Sequence, residues 1–240
     1  MTDALFLIDS LDDAELGSAL ILDGLEGRHA ATVKRIRVGE QVYLADGRGR
    51  AVHGTTTRVG KDEIEVSVEE LLQDRAREQR VIAVQALAKG DRSDIAIEML
   101  TELGVDEIWA WQAARSIVRW DGKVEKALAK WQSTVRESAK QARRFTVPQV
   151  RFAGTKEVCE LFGSAELSLI LHEDATQRLA EFELPSSGTI AFVVGPEGGI
   201  SEAEVDALQA AGGQLASLGD HVLRASTAGA VCLAQIQALS

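Results

Sequence analysis

The chain has 240 residues, 45% of them hydrophobic, and a formal net charge of −11. That is room for one large domain or two small ones with a real core, and the sequence has no run of about 18 apolar residues to cross a membrane. Taken globally, the charge argues against a nucleic-acid binder.

The first ten residues, Met-Thr-Asp-Ala-Leu-Phe-Leu-Ile-Asp-Ser, lack a basic region and do not read as a signal peptide. Residues 1–72 read as β-rich, with short strands at Leu5–Ile8, Ser18–Leu22, Gln41–Ala45, Ala51–Val59 and Glu63–Leu71. Turn signals such as Asp46-Gly47 and Gly60-Lys61-Asp62 separate them. Glu26 to Arg35 is a candidate short helix. Many short strands in so few residues predict a small barrel. His29, Lys34, Arg35 and Arg37 gather hydrogen-bond donors near one loop. The segment is net acidic, so a solvated face and an RNA contact both stay open for these four.

The charged, apolar-poor stretch Asp74–Arg80 marks a boundary between a domain at 1–72 and one at 73–240. Val81 to Leu87 is a buried strand and Lys89-Gly90-Asp91-Arg92 a turn. Ala96, Met99, Leu100 and Leu103 follow at helical spacing, Gly104 ends that helix, and Glu107 to Trp111 is the next strand. Strand–helix–strand of this kind calls for a parallel sheet.

From Lys123 an apolar stripe runs through Val124, Leu128, Trp131, Val135, Ala139 and Ala142. Lys123, Lys126, Lys130, Lys140, Arg143 and Arg144 lie mostly away from it. Between Arg115 and Arg144 nine basic residues face three acidic ones. Charges are screened over about 8–10 Å, so such a strip can hold phosphate on an acidic protein. A basic, one-sided helix can be a solvated face, a calmodulin-like target or a phosphate track. The run Lys140-Gln-Ala-Arg-Arg144 before Pro148 favours the phosphate track, together with the resemblance given below. Trp120 and Trp131 read as core.

Gln149 to Phe152 is a strand, Lys156 to Phe162 a short helix, and Leu167 to Leu171 a buried strand that ends in His172-Glu173-Asp174. No second ligand stands at metal spacing from His172, and no metal is expected. Cys159 and Cys232 match no C-x-x-C pattern and read as two buried, reduced thiols of a cytoplasmic protein.

The last fifty residues carry the chemistry. Ile190 to Val194 is an apolar strand, Gly195-Pro196-Glu197-Gly198-Gly199 a turn, and Ser201 with Glu204 a capping box opening a helix that Gly212-Gly213 ends. Leu215 to Leu218 is a second short strand, Gly219-Asp220 a turn, and Ala225 onward a helix rich in small residues. Arg224, Ser226 and Thr227 place a cation and two hydroxyls at that helix's start. Strand ends that open into turns are where α/β sheets bind ligands.

The paired motifs Gly195-Pro-Glu-Gly-Gly199 and Leu218-Gly-Asp-His-Val-Leu-Arg224, with Ser226-Thr-Ala228, resemble the SPOUT methyltransferases. Within them the chain is similar, along nearly its whole length, to the ribosomal RNA small subunit methyltransferase E family. That resemblance implies an α/β SPOUT domain with a parallel sheet and a trefoil knot, preceded by a small PUA-like or OB-like β-barrel. It implies methylation of a uridine of 16S ribosomal RNA at N3, with S-adenosylmethionine as cofactor, and a homodimer. It places the cofactor against Leu171, His172, Gly195, Pro196, Glu197, Gly198, Gly199, Ile200, Leu218, Gly219, Leu223, Arg224, Ser226, Thr227 and Ala228. It puts Lys89, Arg92, Arg115, Arg119, Lys140, Arg143 and Arg144, with His29, Lys34, Arg35 and Arg37, on the RNA side. The family often has an acidic residue where this chain has Ser226.

For the reaction, a guanidinium against O2 and O4 of the uracil anion would stabilise the developing charge, and Arg224 is the choice for that role. Its alternative is a structural ion pair with Asp220 or Glu197. Glu197 is the candidate orienting group, and His172, His221 or water can take the proton. Three other readings stand beside this one: an RNA-binding or ribosome-assembly module without activity, a SPOUT enzyme acting on another RNA, and a nucleotide-phosphate enzyme. The 195–201 spacing matches neither phosphate-loop pattern, which disfavours the last.

Overall fold

A computed structural model of the chain describes residues 3–75 and 77–240. It divides into two compact units, one of Met1–Ala76 with Arg136–Val147, the other of Arg77–Val135 with Pro148–Ser240.

The first unit holds β1 (Ala4–Leu7), β2 (Ala19–Leu22), α1 (Gly24–Arg28), β3 (Gln41–Ala45), β4 (Arg50–Val59) and β5 (Ile64–Gln73). They make a five-stranded sheet in the order β1-β3-β4-β5-β2. β1 runs parallel to β3, and the other pairs are antiparallel. Register shifts at His53/Gly54 and Thr56/Arg58 bend β4. A Cβ at Gly54 would lie 2.0 Å from the carbonyl oxygen of Ser67, so this position requires glycine. Phe6, Leu22, Val42, Leu44, Ile64 and Val66 form the core. The expected helix at 26–35 starts two residues earlier and changes character. α1 passes into a π-helical turn, His29–Lys34, which Arg35 closes in the left-handed region at φ 56.

Residues 136–147 complete this unit, an assignment the sequence reading did not foresee. Phe145 and Val147 pack with Leu5, Leu7, Ala45 and Ala51. The Val147 N–H donates to the Gly47 carbonyl at 3.0 Å, and the Thr146 hydroxyl to Asp74 at 2.8 Å.

The second unit holds β6 (Gln79–Ala86), α2 (Arg92–Glu102), β7 (Glu107–Trp111), β8 (Gln149–Ala153), α4 (Thr155–Ser164), β9 (Leu167–Leu171), β10 (Gly188–Val194), α5 (Glu202–Ala210), β11 (Gln214–Ala216) and α6 (Ala225–Leu239). α3 (Val124–Gln141) belongs to this unit as far as Val135. The sheet has six strands, all parallel, in the order β11-β9-β10-β6-β7-β8. Both its faces are covered, which is why β10 reads as an unbroken apolar run from Ile190 to Val194 and β6 as one from Val81 to Val84. Ile82, Val84, Trp109 and Val193 pack with Val158, Phe162 and Leu208 of α4 and α5. On the other face α6 packs on β6 and β10, and α2 packs on α6. Gly229 lies at that contact, where a Cβ would stand 3.4 Å from the Leu100 and Val194 side chains.

Two expectations are corrected. The strand expected at Leu215–Leu218 is Gln214–Ala216. Ser217 leaves the ladder because its N–H donates to the Gln177 carbonyl and its own carbonyl accepts from the Leu179 N–H, both at 2.9 Å. Of the two cysteines, Cys232 is buried but Cys159 is only half-buried, and both are free. Trp120 and Trp131 are core, as read, and meet edge to face at 5.2 Å. Among the described residues no helix is long and apolar enough to cross a membrane.

Candidate active site

Sheet register fixes where the turns emerge. Ala216 of β11 pairs with Leu171 of β9, Leu171 with Val194 of β10, and Val194 with Gln85 of β6. These strands are parallel, so the segments starting at Ser217, His172, Gly195 and Leu87 leave the sheet side by side along one edge. That is the carboxyl edge, where open parallel sheets bind ligands.

The 195–201 turn is tightly closed. The Gly199 N–H donates to the Pro196 carbonyl at 2.9 Å, and Gly199 sits at φ 73. A Cβ at Gly195 would come within 2.8 Å of the Ile200 side chain, which is buried. Ser201 caps α5, accepting from the Glu204 N–H while Glu204 accepts from Ser201. Glu197 reaches to the start of α2. Its carboxylate accepts from the Lys89 N–H at 3.1 Å and from the Arg92 guanidinium at 3.0 Å. Burial alone would raise this carboxyl. Hydrogen bonds from its own N–H and that of Lys89, and then the Arg92 guanidinium, hold it below the ordinary glutamate range.

The third turn is held differently. The Gln235 side chain of α6 donates to the Leu218 carbonyl at 3.0 Å. Asp220 pairs with Arg178. The alternative reading of Arg224, an ion pair with Asp220 or Glu197, is not what the structure shows, since both acids pair with other arginines. Arg224 is exposed, and no ion pair or side-chain hydrogen bond holds its guanidinium among the described residues. Its carbonyl accepts from the Thr227 and Ala228 N–H groups at 2.8 and 2.9 Å, which fixes the residue at the start of α6. Ser226 is buried. His172 is half-buried, and its Nδ1 accepts from the Asp174 N–H at 3.2 Å. His221 is exposed.

Leu171, Leu218 and Leu223 are half-buried, and Gly219 has open space where a Cβ would stand. One cavity of about 280 Å³ is lined by Arg178, Leu218, Gly219 and Gln235. Another of about 170 Å³, at the end of β6, is lined by Leu87, Ser93, Trp120 and Trp131. Among the described residues no group of three or more His, Cys, Asp or Glu stands together to hold a metal.

The basic residues fall into separate groups. Lys34, Arg35, Arg37, Lys89 and Arg119 are exposed, with Arg119 paired to Asp121 at 3.0 Å, while His29 is half-buried edge-on to Phe6. Lys140 is not an exposed member of a phosphate track. Its side chain is 8% exposed and pairs with Glu26 at 2.9 Å and Glu137 at 2.7 Å. A helix position four residues from an exposed one is not itself exposed when a second element covers the turn, and spacing within α3 carries no sign of that cover. Arg143 and Arg144 are half-buried, and Arg143 ends the helix in the left-handed region at φ 56. Arg92 is spent on Glu197, and Arg115 donates to the Gly198 and Ile200 carbonyls at 3.3 and 3.4 Å.

Comparison with known proteins places the chain among RNA methyltransferases. Residues 75–237 match the RNA methyltransferase domain family and residues 22–69 the RNA methyltransferase PUA domain family. The ribosomal RNA small subunit methyltransferases E of Mycobacterium bovis and Mycobacterium tuberculosis are each 41% identical over 246 residues, spanning 100% of this chain and 93% of theirs. The protein of that name from Bacillus subtilis is 29% identical over 225 residues, covering 90% of this chain and 88% of its own. A solved structure of the Neisseria gonorrhoeae protein of the same name, bound to S-adenosyl methionine, superposes with a TM-score of 0.87 at 29% identity, over 99% of this chain and 98% of that one. The chain belongs to the ribosomal RNA small subunit methyltransferase E family.

Proposed function

We propose that the protein transfers a methyl group from S-adenosylmethionine to N3 of a uridine in 16S ribosomal RNA of the small subunit. The observation that carries this reading is the register of β11, β9, β10 and β6, which brings the turns at 172, 195–199 and 217–224 to one edge. The family supplies the reaction class, and the relatives named above supply the substrate.

When bound, S-adenosylmethionine supplies an electrophilic methyl group. The chain supplies position and charge. Leu171, Leu218 and Leu223 give apolar walls, with His172 between two of the turns, and the backbone of Gly195-Pro196-Glu197-Gly198-Gly199, Ile200, Gly219, Thr227 and Ala228 gives polar edges. Ser226 is buried in the first turn of α6. Arg224 is exposed, fixed at its backbone and without an ion pair among the described residues, which supports its role in holding O2 or O4 of the uracil as N3 loses its proton. Glu197 acts as an orienting residue through Arg92 and Lys89, not as a base, because its charge is already satisfied.

On the same reading, residues 1–72, completed by the 136–147 segment, form the RNA-binding domain, and the rest of 73–240 forms the SPOUT domain, whose knotted C-terminal chain encloses the cofactor. Lys34, Arg35, Arg37, Lys89 and Arg119 offer the exposed charge for phosphate. The protein acts as a homodimer in the cytoplasm. Incubation with labelled S-adenosylmethionine and small subunits lacking the modification, followed by nucleoside analysis, tests the proposal. Label in 3-methyluridine is the expected result. Cofactor binding without label would redirect the enzyme to another RNA, and the absence of both would leave an RNA-binding module.

A further inference from the structure

One buried carboxylate has no part in the reaction just described. Glu204 of α5 is 6% exposed, yet it accepts four hydrogen bonds. One oxygen takes the Ala114 N–H at 2.7 Å and the Thr155 hydroxyl at 3.2 Å. The other takes the Ser201 N–H at 3.2 Å and the Ser201 hydroxyl at 2.6 Å. Capping α5 needs only the second pair. In the first pair, the Ala114 bond reaches across 90 positions of sequence to the loop after β7, and the Thr155 bond reaches the start of α4.

From that loop a cation reaches back. The residue after Ala114 is Arg115, whose guanidinium donates to the carbonyls of Gly198 and Ile200. The two backbones are close there. A Cβ at Gly198 would lie 3.5 Å from the Arg115 carbonyl oxygen and from its Cβ. The 195–201 turn is thus gripped from both sides. A carboxylate on the turn's own helix fixes the backbone of the loop, and a guanidinium on the loop fixes the carbonyls of the turn.

We infer that Glu204 and Arg115 form a reciprocal clasp that holds the 195–201 turn in the shape that receives the methyl donor. This rests on the reading of that turn as part of the donor site. Both are positioning residues, since neither touches the reacting atoms. The physical case is one of shared geometry. Gly198 and Gly199 carry no side chains to restrict the turn, so its shape depends on what its carbonyls meet. Arg115 meets two of them. Its own position depends on Ala114, and Ala114 depends on Glu204. Buried acceptors with several donors are costly to unmake, which gives the clasp one arrangement rather than many.

The test is calorimetric titration of S-adenosylmethionine into RNA-free protein, comparing wild type with Arg115→Ala, Glu204→Gln and the double variant. Each single variant is expected to bind the donor about tenfold more weakly, and the double variant little more weakly than either, as for groups that act through one contact network. Turnover at saturating donor should stay within about twofold of wild type, so that KM for the donor rises while kcat holds. Arg115 is exposed, so its variant should melt as wild type does and decides the matter even if Glu204→Gln folds poorly. Wild-type donor affinity in Arg115→Ala, with weaker RNA binding and a shallower salt dependence, would overturn the clasp and make Arg115 an RNA contact. No donor binding by the wild-type protein would overturn the donor-site reading itself, and the clasp's purpose with it.

Discussion

Glu197 and Arg92, 105 positions apart in the chain, form an ion pair at 3.0 Å that ties the turn after β10 to the first turn of α2. The Glu197 side chain is 23% exposed and that of Arg92 41%. Such a pair contributes about 0.5–1 kcal/mol. The carboxyl is depressed in the folded protein, so its contribution is present above the unfolded value and lost as pH falls through the folded one. Glu197→Gln should therefore be less stable than wild type near neutral pH, and the gap should close on acidification below the ordinary glutamate pKa of about 4.3. Urea unfolding of the two proteins at neutral and acidic pH measures this. A gap that stays constant would show that the pair is not its source.

Arg224→Ala separates chemistry from structure. The side chain is exposed and unpaired among the described residues, so stability should change by less than about 0.5 kcal/mol. Donor affinity should stay near that of wild type. Turnover should fall by about a hundredfold or more, the usual loss when one charge-stabilising donor is removed. Single-turnover methylation measures it, and near-normal rates would remove Arg224 from the mechanism.

Lys140 gives the opposite pattern. Its burial and its pairing with Glu26, which is itself 16% exposed, mean that Lys140→Met strands a carboxylate. Arg136, 3.9 Å from Glu26, compensates in part. A loss of about 2–3 kcal/mol is expected, below the full cost of breaking a buried pair. The salt dependence of RNA binding should not change. Arg37→Ala should do the reverse, leaving stability intact and lowering the salt slope by about 1. Chemical denaturation and binding at several salt concentrations distinguish the two.

Gly195→Ala tests how closely the donor turn is packed. The new methyl group would stand 2.8 Å from the buried Ile200 side chain, inside normal contact distance. Overpacking of about 1–3 kcal/mol is expected, together with weaker donor binding. Thermal unfolding and donor titration give both values. Unchanged affinity would mean that the turn yields without cost.

Much of the fold was legible in the sequence because its signals were local. The buried runs of β6, β7, β9 and β10 are short and apolar, and Ser201 with Glu204 announces α5. What local pattern could not carry was pairing across the chain. β11 stops at Ala216 because Ser217 pairs with residues 177–179, and nothing in Leu215–Leu218 encodes that. The motif residues of the proposed donor site were legible as motifs, but not what engages them. Arg178 takes Asp220, Arg92 takes Glu197, and Arg224 has no ion-pair partner among the described residues. Glu204 was visible only as a cap, since its second role depends on a loop 90 residues earlier. Basic spacing on α3 gave Lys140 the look of a surface charge, because the cover over it comes from Glu26 and its neighbours.

The contribution of Arg136–Val147 to the first unit bears on how the protein can be made. During synthesis the N-terminal sheet emerges early, but Phe145 and Val147, which close one of its apolar clusters, leave the ribosome about seventy residues later. Until then Leu5, Leu7, Ala45 and Ala51 lack those partners, and Glu26 lacks Lys140. A gene cut near residue 73 would give two fragments that each carry an unmatched surface. The N-terminal fragment would miss its last packing segment, and the C-terminal fragment would expose that segment with nothing to cover it. Evolutionary exchange of the N-terminal unit for another would have to bring a matching 136–147 along.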